Sequence, residues 1–248
     1  MRTTAAKAKD GYMIGIDEVG RAVRMKRAPL YRGASLAPTK WIIGIDEVGR
    51  GCLAGMVTVA ALAMPASAKF KKQISKLQAE NESLVLRDSK KLNRFQREEW
   101  FKYIKDNPTI FYATASIRPG VIDRVNIAQA ANRAATKALL RLISQLEFPA
   151  GSRVFLDGGL YVKLGSDRTL RTTTVIRGDE TIPAISLASI VAKVTRDNRM
   201  RHLHRKYPAY GFLRNVGYGT REHRRALKKL GPTPLHRLTF IKKYVTIR

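Results

Sequence analysis

The pattern of apolar positions predicts three strands in the first half of the chain. Residues 41–45 and 56–64 form two apolar runs that lie close together, so we expect two buried strands that pair antiparallel. A third strand is expected at residues 109–117. Residues 69–82, between the second and third strands, suit either a polar helix or a loop.

Helices and strands alternate through the rest of the chain. Asn93 can cap a helix, with Gln96 at its capping-box position, and residues 126–146 carry apolar side chains at helical spacing. Three early strands are followed by helices that alternate with further strands. This order indicates an α/β fold, with a mixed sheet flanked by helices and a basic helical C-terminal portion. The remaining expected elements are strands at 153–156 and 170–176, a helix from Pro183 to about His204, and a strongly basic helix from its capping residue Thr220 to Gly231.

The charge balance points to a class of partner. The chain has 47 Lys and Arg against 19 Asp and Glu, which gives a net charge of +28. A field of this sign attracts polyanions, and nucleic acid is the commonest of them, with binding that weakens as salt is added. A ribosomal protein or a generally basic proteome would give the same balance, so charge alone does not identify the partner.

Apolar and cysteine content indicate a soluble intracellular protein. Apolar residues make up 44% of the chain, which is enough for a substantial core. The lone cysteine, Cys52, excludes an internal disulfide and suggests a reducing compartment. The longest apolar run, Met56–Met64, is too short to span a bilayer, and we find no secretory segment. We therefore expect a cytoplasmic protein with no membrane partner.

Acidic residues are scarce in this chain, and some of them follow predicted strands. Open α/β sheets gather ligands near such strand ends, and carboxylate oxygens are the ligands that Mg²⁺ and Mn²⁺ prefer. Two such ions could hold an attacking water and a leaving oxygen in line; ordinary strand-end acids are the alternative. Adjacent strand residues point to opposite faces, so Glu47 is expected beyond the regular strand. The candidate ligands are Asp46, Glu47, Asp157 and Asp179.

A series of short segments resembles ribonuclease HII, of the type 2 ribonuclease H family. The segments occur in the family's order and span about residues 41–240. Ribonuclease HIII would carry a lysine where Arg50 stands and a longer N-terminal domain, so it is disfavoured. The matching segments are Gly44–Gly55, Asp88–Leu92, Leu156–Gly158, Gly178–Asp179, Ala188–Asp197, Tyr207–Phe212, Gly217–Thr220 and His236–Phe240.

The resemblance implies a ribonuclease H-like fold and a role for each matching residue. The four candidate acids fall on the family's catalytic, metal-binding carboxylates. Gly49, Arg50 and Gly51 match the loop that contacts the 2′-hydroxyl and the adjacent backbone. Tyr218 matches a tyrosine that stacks near the sugar after the ribonucleotide, and Ser89 and Lys90 fall where phosphate contacts are expected. Read without the resemblance, Arg50 and Lys90 are surface charges and Tyr218 is a packed aromatic residue.

The implied reaction is hydrolysis of the phosphodiester on the 5′ side of a ribonucleotide, leaving a 3′-hydroxyl and a 5′-phosphate. The implied cofactor is Mn²⁺ or Mg²⁺. The implied substrates are RNA–DNA hybrids and single ribonucleotides in duplex DNA, as in ribonucleotide excision repair, and we expect a monomer. Two alternatives are a basic nucleic-acid-binding protein without catalysis and a related polynucleotidyl transferase. The intact carboxylates argue against the first, and Gly49–Gly51 argues against the second.

Other chemistry-bearing side chains are expected to be structural. Asp197 lies among arginines in a predicted helix, which favours an ion pair, and Cys52 is expected to pack in a turn. Surface or capping roles are expected for His202, His204, His223 and His236.

An internal repeat offers two candidate sites near the N-terminus. Met13–Arg21 nearly duplicates Ile42–Arg50, but only the second copy continues into a glycine and an apolar run. The first copy is followed by Ala22 and leads to no comparable strand pair. We therefore predict a non-catalytic basic extension at residues 1–40 and a catalytic domain at residues 41–248. The competing acids are Asp17 with Glu18 in the first copy, and Asp46 with Glu47 in the second.

Overall fold

The computed structural model describes the backbone of residues 12–16 and 22–26, and residues 40–80, 86, 89, 91–164 and 170–245 with their side chains. The strands are β1 (Tyr12–Ile16), β2 (Ala22–Lys26), β3 (Trp41–Val48), β4 (Val57–Pro65), β5 (Phe111–Ile117), β6 (Arg153–Asp157) and β7 (Arg171–Val175). The helices are α1 (Ala68–Glu80), α2 (Arg94–Asp106), α3 (Pro119–Val125), α4 (Ile127–Ile143), α5 (Gly178–Thr181), α6 (Pro183–Lys206), α7 (Phe212–Asn215), α8 (Arg221–Leu230) and α9 (Leu238–Ile241).

A five-stranded mixed sheet, in the order β5-β4-β3-β6-β7, forms the centre of the fold. The strands β3, β4 and β5 pair antiparallel, while β6 pairs parallel with both β3 and β7. This confirms the predicted α/β fold with a mixed sheet. The last parallel rung joins Ile45 to Leu156, so Asp46 and Asp157 follow it at the same end of two neighbouring strands.

Helices cover both faces of the sheet. On one face, α4 packs its alanine-rich side against β4 and β5, and on the other face α6 crosses β3 and β4. The crossing is close at Gly44, where an added Cβ would lie 2.1 Å from the backbone of Ala184. Both faces of β4 are consequently buried, which is why its sequence is a continuous apolar run.

Most of the predicted elements are confirmed. The helix α2 begins with the capping box, in which the Gln96 amide donates to the Asn93 side chain at 2.9 Å. The uncertain segment after β4 is a helix, and α8 ends at Gly231 as expected. The prediction missed four helices of only four to seven residues, which are too short to show a periodic pattern: α3, α5, α7 and α9.

The prediction that the first copy of the repeat leads to no strand pair is wrong. The backbone of Ala22–Lys26 forms β2, which pairs antiparallel with β1 in a separate two-stranded sheet. Residues 23–26 alternate apolar and basic side chains, a pattern typical of a strand. The acids of this copy, Asp17 and Glu18, lie outside the described residues.

The surface or capping role predicted for His223 and His236 is also wrong. Their side chains are buried in the C-terminal cluster beside Tyr210 and Phe212, and their Nε2 atoms lie 3.0 Å apart. The Thr233 amide donates to Nδ1 of His236, so its Nε2 carries the proton and donates to His223. His223 then donates from Nδ1 to the Tyr218 carbonyl at 2.8 Å. This chain of donors requires both rings to be neutral, because a further proton would set two N–H groups against each other. Of the two other histidines, His202 is exposed as expected.

We expect this pair to make the protein less stable in mild acid. Burial, and then the charge of His223, lowers the pKa of His236 from 6.5 to about 4. The unfolded chain binds a proton that the folded chain excludes, so the free energy of unfolding falls as pH drops from about 6.5 towards 4. Between pH 6.5 and 5, above the range of ordinary carboxylates, the fall should be about 1.5 kcal/mol.

Urea unfolding at a series of pH values measures this loss. A His236→Gln variant, which removes the titrating ring, should show a smaller slope than the parent. Equal slopes for the parent and the His236 variant between about pH 6.5 and 5 would contradict the neutral-pair assignment.

Candidate active site

Three carboxylates meet at the end of the central strands. Each of Asp46, Glu47 and Asp157 offers an oxygen, and these oxygens all lie within 4.8 Å of one another. Asp46 and Glu47 come from β3, and Asp157 is the last residue of the parallel neighbour β6. The sheet register therefore brings together acids that are about 110 positions apart in the sequence.

Glu47 does not lie beyond the strand as predicted. It is the next-to-last residue of β3 and pairs with Val59 of β4. β3 pairs with β6 only as far as Ile45. Beyond Ile45 this side of β3 has no paired strand, which leaves room for the Asp46 side chain to turn along the strand. The Glu47 amide donates to Asp46 Oδ1 at 2.7 Å. Neighbouring strand residues can thus share one site because the sheet is incomplete there.

The three acids concentrate negative charge in a buried position. Asp46 is only 4% exposed, and burial, followed by the charges of Glu47 and Asp157, raises its pKa well above the ordinary value. Burial also raises the pKa of Glu47, although the neighbouring Arg50 opposes the rise. Oε2 of Glu47 is buried and has no hydrogen-bond partner among the described residues. An unpartnered oxygen in an all-oxygen, acidic donor set is a good fit for a hard divalent cation.

Asp179 lies next to this group but is not one of its three members. It is a buried residue in the first turn of α5, directly after β7. The preceding residue, Gly178, donates its amide to Asp157 Oδ1 at 2.8 Å. The structure therefore brings three of the four predicted acids together. The fourth, Asp179, directly follows a residue that contacts them.

The predicted glycine loop adjoins the acids. Arg50 Nη1 lies 3.0 Å from Glu47 Oε1, so the loop and the carboxylates are joined by an ion pair. Gly49 has a φ of +90°, and an added Cβ there would meet Arg196 at 2.3 Å. A Cβ added at Gly51 would meet no atom within 4 Å. Gly49 is thus required by the fold, while the space at Gly51 is open to a ligand.

Two buried arginines shape this loop, and the sequence did not reveal them. Arg196 and Arg237 are 1% and 0% exposed, and among the described residues neither forms an ion pair with a carboxylate. Burial lowers the pKa of Arg237 to about 10. Arg196 donates to the carbonyls of Ala54, Met56 and Val216, and Arg237 donates to those of Gly49, Arg50 and Gly55.

A cleft of ≈ 260 Å³ opens beside Glu47. Two of its basic residues, Arg97 and Lys193, were not predicted as site residues. Lys193 pairs with Asp197 at 3.0 Å, which confirms the structural role predicted for that acid. The cleft is lined by Glu47, Val48, Ser89, Arg97, Ser189, Lys193 and Tyr218.

Ser89 lines the cleft, but its hydroxyl is buried. Its Oγ lies 2.7 Å from Ser189 Oγ, and Ser189 in turn hydrogen-bonds to the Asp46 side chain. The structure thus connects Ser89 to a catalytic candidate, while its expected phosphate contact stays a prediction. The neighbouring Lys90 lies outside the described residues.

Tyr218 forms one wall of the cleft and is 40% exposed. Lys193 Nζ and the Arg196 guanidinium lie 5.8 and 5.9 Å from the centre of its ring. Burial raises the pKa of the Tyr218 hydroxyl, which contacts the buried Cys52. An exposed ring face held by its hydroxyl end can stack against a sugar or base.

Comparisons with known proteins agree with the geometry. The family model described as ribonuclease HII matches residues 43–243. The ribonuclease HII of Ruminiclostridium cellulolyticum is 42% identical over 195 residues, covering 79% of this chain and 68% of that protein. The ribonuclease HII of Thermosynechococcus vestitus is 40% identical over 192 residues, covering 77% of this chain and 79% of that one.

Solved structures show the same fold at lower identity. Ribonuclease H2 of Pyrococcus horikoshii superposes with a TM-score of 0.61 at 23% identity, covering 82% of this chain and 96% of that one. The Bst ribonuclease HIII in complex with Mn²⁺ superposes with a TM-score of 0.62 at 20% identity, covering 83% and 69%. In the part of the chain that the structure describes, no helix has the length and apolar character needed to cross a membrane.

Proposed function

The chain belongs to the ribonuclease HII family, a family of metal-dependent endoribonucleases that act on RNA–DNA hybrids, and from this premise we propose its reaction and its site. It hydrolyses the phosphodiester on the 5′ side of a ribonucleotide, in a hybrid or embedded singly in duplex DNA. The products carry a 3′-hydroxyl and a 5′-phosphate. The observation that supports this most directly is the partly buried three-carboxylate group beside the glycine loop.

Asp46, Glu47 and Asp157 would hold the divalent cation, Mg²⁺ or Mn²⁺. When bound there, such a cation lowers the pKa of a water ligand and stabilises the charge on the leaving oxygen. Asp179, beside the group, completes the site and orients the attacking water. The Ser89–Ser189 pair holds the Asp46 carboxylate in place through the Ser189 hydroxyl.

The glycine loop distinguishes a ribonucleotide from a deoxyribonucleotide. The open space at Gly51 lets a ribose approach the backbone, where loop amides and Arg50 can contact the 2′-hydroxyl. Because Arg50 also pairs with Glu47, a sugar bound at the loop is placed next to the carboxylates. Recognition of the ribose and positioning of the scissile phosphate are therefore coupled.

Four further side chains would position the substrate. Tyr218 stacks near the sugar that follows the ribonucleotide, and Arg97 and Lys193 neutralise phosphates as the strand passes through the cleft. Lys90 adds a further phosphate contact. The nucleic-acid partner agrees with the net charge of +28, and we propose a cytoplasmic enzyme that acts as a monomer in ribonucleotide excision repair.

A cleavage assay tests this function. The substrate is a labelled duplex with one ribonucleotide, and the control is the same duplex with a deoxyribonucleotide at that position. Cutting only the first duplex, only with Mg²⁺ or Mn²⁺ and only on the 5′ side of the ribonucleotide, is the expected result. Cutting of both duplexes, or undiminished cutting in EDTA, would contradict the proposal.

We expect Tyr218→Ala to impair cleavage mainly at a single embedded ribonucleotide. Loss of the stacking surface shifts the scissile bond, and a displacement of ~1 Å can cost ~100-fold in rate. Binding should change little, because phosphate contacts dominate the affinity. The measurement is kcat and KM on single-ribonucleotide and long-hybrid substrates. Tyr218→Phe, which keeps the ring, is the matched variant, and equal kcat for the alanine variant and the parent would exclude the role.

We propose that residues 1–40 are a non-catalytic extension. Asp46 and Glu47 of the second copy lie on the central sheet within 4.8 Å of an Asp157 oxygen, which supports this assignment. Deletion of residues 1–39 should leave metal-dependent cleavage within about two-fold of the full chain, since it removes no residue of that group. A truncation that folds but does not cleave, together with an inactive full-length Asp17→Asn variant, would place the site in the first copy instead.

A further inference from the structure

A second basic cleft lies in the C-terminal part of the molecule, outside the carboxylate site. It has a volume of ≈ 420 Å³ and is lined by side chains of α8 and by one aromatic residue near the end of the described chain. The α8 side chains that line it are all exposed. The proposed reaction makes no use of this cleft. Its lining residues are Arg221, Arg224, Arg225, Lys228 and Tyr244.

The four cations form one face of α8. Their positions are i, i+3, i+4 and i+7, which lie on the same side of a helix, while His223 and Leu227 occupy the buried side. Like charges at these spacings repel and destabilise the helix. Among the described residues, none of the four pairs with a carboxylate, and Glu222 of the same helix pairs with Arg214 instead. Folding alone does not require this uncompensated row.

Tyr244 holds part of the row in place. The Arg224 guanidinium lies 5.8 Å from the centre of the Tyr244 ring, and Lys243 Nζ lies 5.1 Å from it. Cation–π contacts of this kind restrict where the guanidinium can go, so less conformational entropy is lost when a ligand binds. The cleft is therefore a partly preorganised cationic surface with a fifth positive charge at its rim.

The length of the row suits a linear polyanion. Arg221 and Lys228 are seven residues apart, which is about 10 Å along the helix axis. One strand of a duplex presents a phosphate about every 3.4 Å along its axis, so about three successive phosphates match this span. A single small anion would need donors that converge on one point, whereas these side chains are spread along a line.

The row also begins at the edge of the carboxylate site. α8 starts after its capping residue Thr220, whose hydroxyl accepts from the His223 amide at 3.2 Å. Tyr218, two residues before Thr220, lines the cleft next to Glu47. The cationic face therefore begins three residues after one wall of that cleft.

We propose that the exposed face of α8, together with Tyr244, binds about three phosphates of one duplex strand on a single side of the cleavage site. This assignment rests on the proposed function, since the ligand is the flank of the same duplex. It is a non-specific backbone contact that sets how firmly flanking duplex is held, and it takes no part in the chemical step. An anionic membrane or an acidic protein would meet the same charge, but continuity with the nuclease cleft favours the duplex.

The test compares two variants that each lose three exposed cations. One carries Arg224→Gln, Arg225→Gln and Lys228→Gln on α8, and the control carries Lys69→Gln, Lys71→Gln and Lys72→Gln on α1. Binding to an all-DNA duplex in Mg²⁺ is measured at several salt concentrations, and kcat and KM are measured on the single-ribonucleotide duplex. Thermal unfolding confirms that both variants fold.

The α8 variant should bind about ten-fold more weakly or worse at physiological salt, and its salt slope should fall by about 2.7, at 0.9 for each of three lost phosphate contacts. Its KM should rise while kcat stays within about two-fold, and the α1 control should match the parent. Shortening the duplex on one side of the ribonucleotide, but not on the other, should remove the difference between parent and α8 variant.

Equal salt slopes for the two variants, or a difference that persists whichever flank is shortened, would overturn the proposal. So would a fall in kcat at unchanged KM, or altered binding to phosphatidylserine vesicles with unaltered duplex binding. If the parent fails to cut at the ribonucleotide while the α8 variant still loses its duplex affinity, the proposed function fails and the phosphate surface stands.

Discussion

Asp46→Asn is expected to reduce cleavage at least ~1,000-fold while making the metal-free protein more stable. The carboxylate supplies a charged oxygen to the cation site, and the amide supplies a neutral one. In EDTA the same change removes a buried carboxyl group. Burial, and then the charges of Glu47 and Asp157, raise the pKa of this group. A group with a raised folded-state pKa loses stabilising free energy as pH rises through that pKa, so the asparagine variant should be the more stable protein at neutral pH.

Two measurements separate these effects. Single-turnover cleavage with Mg²⁺ reports the chemical step, and urea unfolding in EDTA reports stability. Asp106→Asn, which removes an exposed acid at the end of α2, should leave both quantities near those of the parent. Duplex affinity of the Asp46 variant should be unchanged, because dispersed Lys and Arg supply it. A variant that folds and turns over like the parent would remove the carboxylate mechanism.

The acids could be predicted because strand ends are local features. The apolar run before Asp46 and the short strand before Asp157 both indicate that the end of a strand is near, and parallel neighbours bring such ends together. The side-chain arrangement could not be predicted in the same way. Whether the Asp46 side chain can turn towards the Glu47 amide depends on where β6 stops pairing with β3, which is a property of the register.

The residues that were missed share a long-range cause. Arginine is usually exposed and histidine is buried only in some proteins, so a pattern of basic residues predicts a surface. Arg237 is buried only because β3 ends in a loop whose carbonyls point towards it, with 182 to 188 residues between the partners. His223 is buried because its ring hydrogen-bonds to His236 in a later loop, and His236 is in turn held by the Thr233 amide. Neither environment can be predicted from the residues that neighbour Arg237 or His223 in the sequence.

Arg237→Met is expected to cost about 3–5 kcal/mol of stability, and it should reduce cleavage of the folded protein by about 100-fold. In the parent, the guanidinium nitrogens of Arg237 lie 2.6 to 3.0 Å from the carbonyl oxygens of Gly49, Arg50 and Gly55. The methionine variant leaves these carbonyls without their donors. The loop then loses the shape that places Arg50 on Glu47 and opens Gly51 to a ribose. Recognition of the ribonucleotide should therefore fall together with the rate.

Arg237→Lys distinguishes positioning from stability. Lysine keeps the charge, but its single ammonium cannot reach three carbonyls that match the fork of a guanidinium. We expect it to recover much of the lost stability and little of the lost preference for a ribonucleotide over a deoxyribonucleotide. Arg133→Met, on the exposed side of α4, is the control for loss of an arginine elsewhere. If Arg237 had a purely structural role, the lysine variant would recover activity in step with the free energy of unfolding. Full recovery of both quantities would therefore show that Arg237 supports the fold without setting the geometry of the loop.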